Sequence, residues 1–197
     1  MWFLLALQAN KNLIQIIMNK SLLNECIFPV LSGREAVGQG FVADGFFITA
    51  AHVIKYLQDL YIILRGQKIM VKDLRLLYIG EGDVNTDSKE VDVAIFDLHE
   101  VPSPLHLSTI PFKDKKQLKS CIIEINEDKR CLEPKLSLSF KSVHIICEEN
   151  NYYICNCERN VGSSGSPLLL GNNVVGVMHG GKDDICVYLK VKAFIWY

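Results

Sequence analysis

AVGQGFVADGFFITAAHV, residues 36–53, reads as two short apolar strands, Ala36–Ala43 and Phe46–Thr49, joined by an Asp44-Gly45 turn. Asp-Gly between two apolar runs is a strong hairpin signal, because both residues tolerate the positive φ that a tight hairpin turn demands. The second strand ends in two alanines and then His52.

Outward from this hairpin the chain keeps the same style. Strands are expected at Ile27–Leu31, Leu60–Arg65, Lys68–Val71, Leu74–Ile79 and Val91–Leu98, with Ser32-Gly33 as a turn and residues 80–90 as a polar Gly/Asp-rich loop. Pro102, Pro104 and Pro111 mark a connector, and residues 99–118 hold no long element. A second set follows at Ser120–Ile125, Leu136–Cys147, Tyr152–Cys157, Pro167–Leu170, Val174–His179 and Ile185–Val191. Only the two ends look helical. The pattern predicts an all-β chain of two six-stranded antiparallel barrels with short terminal helices. The expected divisions are a helical extension over 1–26, a first barrel over 27–105 and a second over 106–197.

Composition narrows the function classes. At 49% apolar and 22% charged residues, the chain is built to pack rather than to stay disordered. Its 21 basic and 22 acidic residues nearly cancel and form no Lys/Arg run, so no nucleic-acid partner is expected. The opening WFLLAL stretch lacks preceding basic residues and is far too short to cross a bilayer. Leu4, Leu7, Leu13, Ile14 and Ile17 instead follow a helical stripe. The expectation is a cytoplasmic protein, with secretion as the alternative. Seven cysteines at irregular spacing read as small buried hydrophobes in a reducing compartment. Zinc on Cys147, Cys155 and Cys157, with His144, is the rival reading. It lacks the second tight ligand pair such sites use, so neither metal nor cofactor is expected.

Three segments carry chemistry: ITAAHV with His52, VDVAIF with Asp92, and GSSGSP with Ser164. Singly, each has a plain structural reading: a histidine after a strand, a turn aspartate, a Gly/Ser loop. Together they supply what acyl transfer requires. A serine hydroxyl needs a base within hydrogen-bond reach, histidine is that base near neutral pH, and a buried carboxylate holds its tautomer. Two backbone N–H groups must also face the developing oxyanion, and Gly162 and Ser164 are the candidates. Asp97, five residues beyond Asp92, is the rival carboxylate, and on a regular strand it points to the opposite face.

These segments resemble the His, Asp and Ser motifs of trypsin/chymotrypsin-like serine proteases. GQGFV at 38–42 resembles the glycine-flanked strand before the histidine, VGVMHGG at 175–181 the strand beside the primary specificity pocket, and VYLKV at 187–191 the final strand. The resemblance covers about residues 27–197 and implies a chymotrypsin-like double barrel and a serine endopeptidase acting on a protein or peptide. It is closest in flavour to the minimal bacterial branch of HtrA-type proteases and staphylococcal glutamyl endopeptidase. Val53 stands where disulfide-bonded members have cysteine, and Ser163 where cleavage-activated members have aspartate. Activity is therefore expected without an N-terminal cut. The chain reaches Tyr197 where the family's terminal helix would begin, and Ser166 replaces a frequent glycine.

The resemblance also implies a pocket walled by Glu158, His179, Gly180, Gly181 and Cys186. Glu158, six residues before Ser164, would favour a basic side chain, whereas Arg159 and His179 would favour an acidic one. The glutamyl-specific histidine belongs one residue earlier, at Met178, so the lean is toward basic substrates. Rival functions on the same barrels are a catalytically inactive binding module and a viral-type polyprotein-processing protease. Oligomeric state is not legible.

Overall fold

A computed structural model of the chain describes residues 22–55, 58–80, 91–109, 118–126, 135–158 and 160–195. The helical stripe expected over 4–17, the polar loop over 81–90, Pro111 and Arg159 lie outside these residues.

Seven strands make the first sheet: β1 (Ile27–Ser32), β2 (Glu35–Ala43), β3 (Phe46–Thr49), β4 (Tyr61–Leu64), β5 (Gln67–Met70), β6 (Arg75–Ile79) and β7 (Ala94–Asp97). Their order is β5-β4-β1-β2-β3-β7-β6, with antiparallel neighbours. The β2–β3 hairpin closes through Asp44 and Gly45 at φ 50° and 85°, placing Ala43 opposite Phe46 and Gly40 opposite Thr49. That register turns Phe47 and Ile48 fully into the interior.

The second sheet holds β8 (His106–Leu107), β9 (Leu118–Asn126), β10 (Lys135–Ser142), β11 (His144–Glu149), β12 (Tyr152–Asn156), β13 (Pro167–Leu170), β14 (Asn173–Lys182) and β15 (Ile185–Lys190). Its path is β10-β9-β13-β14-β15-β12-β11, and the two-residue β8 pairs parallel with β14. Both sheets curl, giving the all-β double barrel expected from the sequence. The first sheet keeps the seven runs read from the sequence, one more than six. The second has eight because the run expected over 136–147 breaks at buried Val143, whose N–H turns aside to the Leu118 carbonyl, and because β8 adds a two-residue strand. The chain crosses between sheets at 105–106. Leu105 accepts a bond from Asp44 N–H, while His106 donates to Asn172.

The larger core is shared by the two barrels, with Phe41, Phe47 and Ile62 of the first and Val177, Leu189 and Phe194 of the second in one cluster. A smaller cluster fills the second barrel, and Cys155, Cys157 and Cys186 pack there with Tyr188 and Met178. The shared core packs the two sheets together, and His179 of β14 reaches Asp92 before β7 across the boundary between them.

Candidate active site

Strand β3 delivers His52. Thr49 at its end is buried and donates its hydroxyl to the Gln39 carbonyl at 2.6 Å. Ala50 and Ala51 are fully buried, and His52 is the second residue of the short helix Ala51–Lys55. Its side chain is 14% exposed, and the Asp92 carboxyl beside it is fully buried. His52 N–H donates to Asp92 Oδ1 at 2.9 Å, and His52 Nδ1 lies 2.7 Å from Oδ2. Main chain and ring are thus clamped by one carboxylate, which fixes the ring and leaves Nε2 free to act as a base.

Asp92 stands just before β7. Burial pushes its carboxyl up, but hydrogen bonds from His179 and His52, and their charge, outweigh that and hold it well below the usual carboxylate range. It is an anion throughout the working pH range. Asp97, the rival, lies in β7 and faces elsewhere. It meets His99 Nδ1 at 2.5 Å and Arg75 at 3.5 Å, and the His99 bond holds its pKa down.

Ser164 follows a turn in which Ser163 N–H bonds the Asn160 carbonyl at 3.1 Å, with Gly162 at φ 81°. A side chain at Gly162 would be strained there and would sit 2.9 Å from the Ala36 carbonyl. Gly165, at φ 88°, is more constrained still, since a Cβ would fall 2.0 Å from the Gln39 carbonyl. Among the described residues the N–H groups of Gly162 and Ser164 have no backbone acceptor. The Ser164 carbonyl accepts from Gln39 N–H at 2.8 Å, so the serine turn is laced to β2. Ser164 Oγ makes no hydrogen bond to His52 in this structure, although catalytic bonds of this kind often tighten only with substrate bound.

The sequence places Gln39 in the GQGFV strand and gives it no role of its own. Its main chain serves both Thr49 and Ser164, and its side-chain Oε1 accepts from Ile123 N–H of β9 at 2.8 Å. One buried residue therefore ties the histidine strand, the serine turn and the second barrel together. A buried glutamine inside a glycine-rich strand was the available signal.

The expected pocket residues fall in two groups. Gly180 pairs with Val187 and Gly181 with Cys186, while Cys186 is fully buried and its thiol donates to the Cys157 carbonyl at 3.2 Å. Glu158 is 69% exposed and ion-paired with Lys141 Nζ at 3.2 Å, so its charge is already met. His179 departs from the expected pocket wall. It occupies an irregularity in the β14–β15 register between Met178 and Gly180, and its Nδ1 lies 2.5 Å from Asp92 Oδ2. A bulge of this kind re-aims a side chain, here onto the carboxylate.

Among the described residues, His52, Asp92 and His179 are also the one trio of His, Cys, Asp and Glu close enough to share a metal ion, with donor atoms within 4.8 Å of one another. The cysteines of the zinc reading do not converge. Cys147 is exposed, Cys155 is buried, and burial pushes the Cys155 thiol up to about 12.

No family model matches the chain, and no curated relative does. Solved structures do. The serine protease domain of the Sesbania mosaic virus polyprotein superposes with TM-score 0.62 at 18% identity, over 88% of this chain and 91% of that one. The Rv3671c protease from M. tuberculosis in its active form gives 0.57 at 17% identity, over 86% and 78%. Neuropsin, a serine protease of mouse brain, gives 0.61 at 14% identity, over 87% and 92%. Viral, bacterial and mammalian enzymes match alike, so the bacterial branch is not singled out. The chain has the double-barrel fold of the trypsin/chymotrypsin-like serine proteases.

Proposed function

We propose that this chain is a serine endopeptidase that cleaves protein or peptide substrates through an acyl-enzyme. The observation that carries this reading is the double clamp of His52 by a buried, ionised Asp92, and it is supported by the bond that ties the Ser164 carbonyl to Gln39 N–H of β2. His52 takes the Ser164 proton as the hydroxyl attacks the scissile carbonyl, then returns it to the leaving amine. Asp92 stabilises the imidazolium between these steps. The N–H groups of Gly162 and Ser164 receive the oxyanion. Water repeats the sequence to release the acyl group. A reducing compartment is part of this proposal, on the irregular spacing of the seven cysteines, and mapping thiols in protein from its native source tests it.

The test is labelling with a fluorescent fluorophosphonate, beside Ser164→Ala and His52→Ala. Labelling lost in both variants supports the triad. The unformed Ser164–His52 bond favours one competitor, a binding module on the same barrels. Absence of labelling and of peptide hydrolysis in folded wild-type protein would establish that competitor instead.

A further inference from the structure

Asp92 Oδ2 receives two imidazoles. His52 Nδ1 reaches it at 2.7 Å and His179 Nδ1 at 2.5 Å, while Oδ1 takes the His52 main-chain N–H. A carboxylate oxygen has two lone pairs, so both rings can donate to Oδ2 at once. The two rings meet edge to face, with centroids 5.8 Å apart at 87°. His179 is itself only 16% exposed and is held from its other side by Tyr152, whose ring centroid is 5.8 Å away. The titratable groups placed against His179 are thus Asp92 from the segment before β7, His52 from the short helix and Tyr152 from β12.

We propose that His179 is a positioning residue: its Nδ1–H holds the Asp92 carboxylate in the orientation that clamps His52. This rests on the protease reading above. The carboxylate cannot rotate away from His52 without breaking the His179 bond. The β14–β15 register is irregular at residue 179, and this contact forms there.

His179→Phe and His179→Asn separate ring from donor. Phenylalanine keeps the edge-to-face packing without an N–H, whereas asparagine places a non-titrating donor near the Nδ1 position. Using a peptide substrate of the wild-type chain, kcat is expected to fall about 10- to 100-fold in the Phe variant with KM little changed. The Asn variant is expected to recover most of that loss. Equal kinetics in wild type and both variants would overturn the proposal, as would equal impairment of both variants. If the Phe variant fails to fold, His179→Leu takes its place in both measurements. Proton NMR of the His52 Nδ1–H reads the same clamp without turnover: its downfield signal is expected in wild type and in the Asn variant and is lost to exchange in the Phe variant. A signal unchanged in the Phe variant overturns the inference even in a chain that hydrolyses nothing, so its failure is distinct from failure of the protease reading.

Discussion

The main-chain N–H of Gln39 and the carbonyl of Ser164 are joined at 2.8 Å, so the strand that supports the histidine and the turn that carries the serine share a hydrogen bond. The two halves of the site come from different sheets, and this bond, with Gln39 Oε1 on Ile123 N–H, sets their spacing. The same approach leaves no room for a side chain at Gly165.

Gln39→Leu is expected to destabilise the fold by about 1–3 kcal/mol, because the buried Ile123 N–H loses its acceptor. Urea unfolding measures this. Activity should fall beyond what the unfolded fraction explains, since the strand bonded to the Ser164 carbonyl loses its side-chain anchor on the second barrel.

Asp92→Asn is expected to lower kcat by about 10⁴-fold, because an amide cannot accept from both imidazoles while holding the His52 tautomer. Its effect on stability has a definite sign. The folded carboxyl is held below its usual range, so it contributes stability that is fully present above about pH 4. That contribution is lost as pH falls through the lower folded value. Wild-type stability should therefore drop more steeply than that of Asp92→Asn as pH falls below about 4, measured by denaturant midpoints.

Gly165→Ala should abolish activity and cost stability, since both a φ of 88° and the Gln39 carbonyl oppose a methyl group. Ser166→Gly removes a hydroxymethyl group whose oxygen donates to the Ser163 carbonyl at 2.7 Å and lies 3.6 Å from Met178 Sδ, and should keep the triad assembled. Comparing fluorophosphonate labelling rates distinguishes the two.

Lys141→Met is expected to raise the preference for Lys or Arg at the cleaved bond by about fivefold, because it frees the exposed Glu158 carboxylate from its ion pair. Profiling a peptide library with wild type and variant reads this. An unchanged preference would place Glu158 outside the pocket.

Protein trimmed within residues 1–21 is expected to match the intact chain in activity. Ser163, buried behind the nucleophile, has no carboxylate with which to bind a new N-terminus. A large gain on trimming, measured by active-site titration, would contradict this.

The chemistry-bearing residues were legible as words along the chain. ITAAHV, VDVAIF and GSSGSP each join a polar group to the apolar run that anchors it, and local sterics at the Asp44-Gly45 turn set the register that buries Phe47. His179 and Gln39 were not legible in the same way. Their roles depend on a bulge and on a contact between sheets, and neither leaves a periodic trace.

By itself the sequence determined the strands, the turns, the double barrel and the candidates His52, Asp92 and Ser164, because hydrophobic alternation and turn chemistry are local. The preference for Asp92 over Asp97 was already in the sequence, and only the tertiary structure decided that Lys141 meets Glu158 and that His179 turns onto Asp92. Those pairings join residues brought together by sheet closure, and partners so distant in the chain are chosen by packing geometry, which no local pattern encodes.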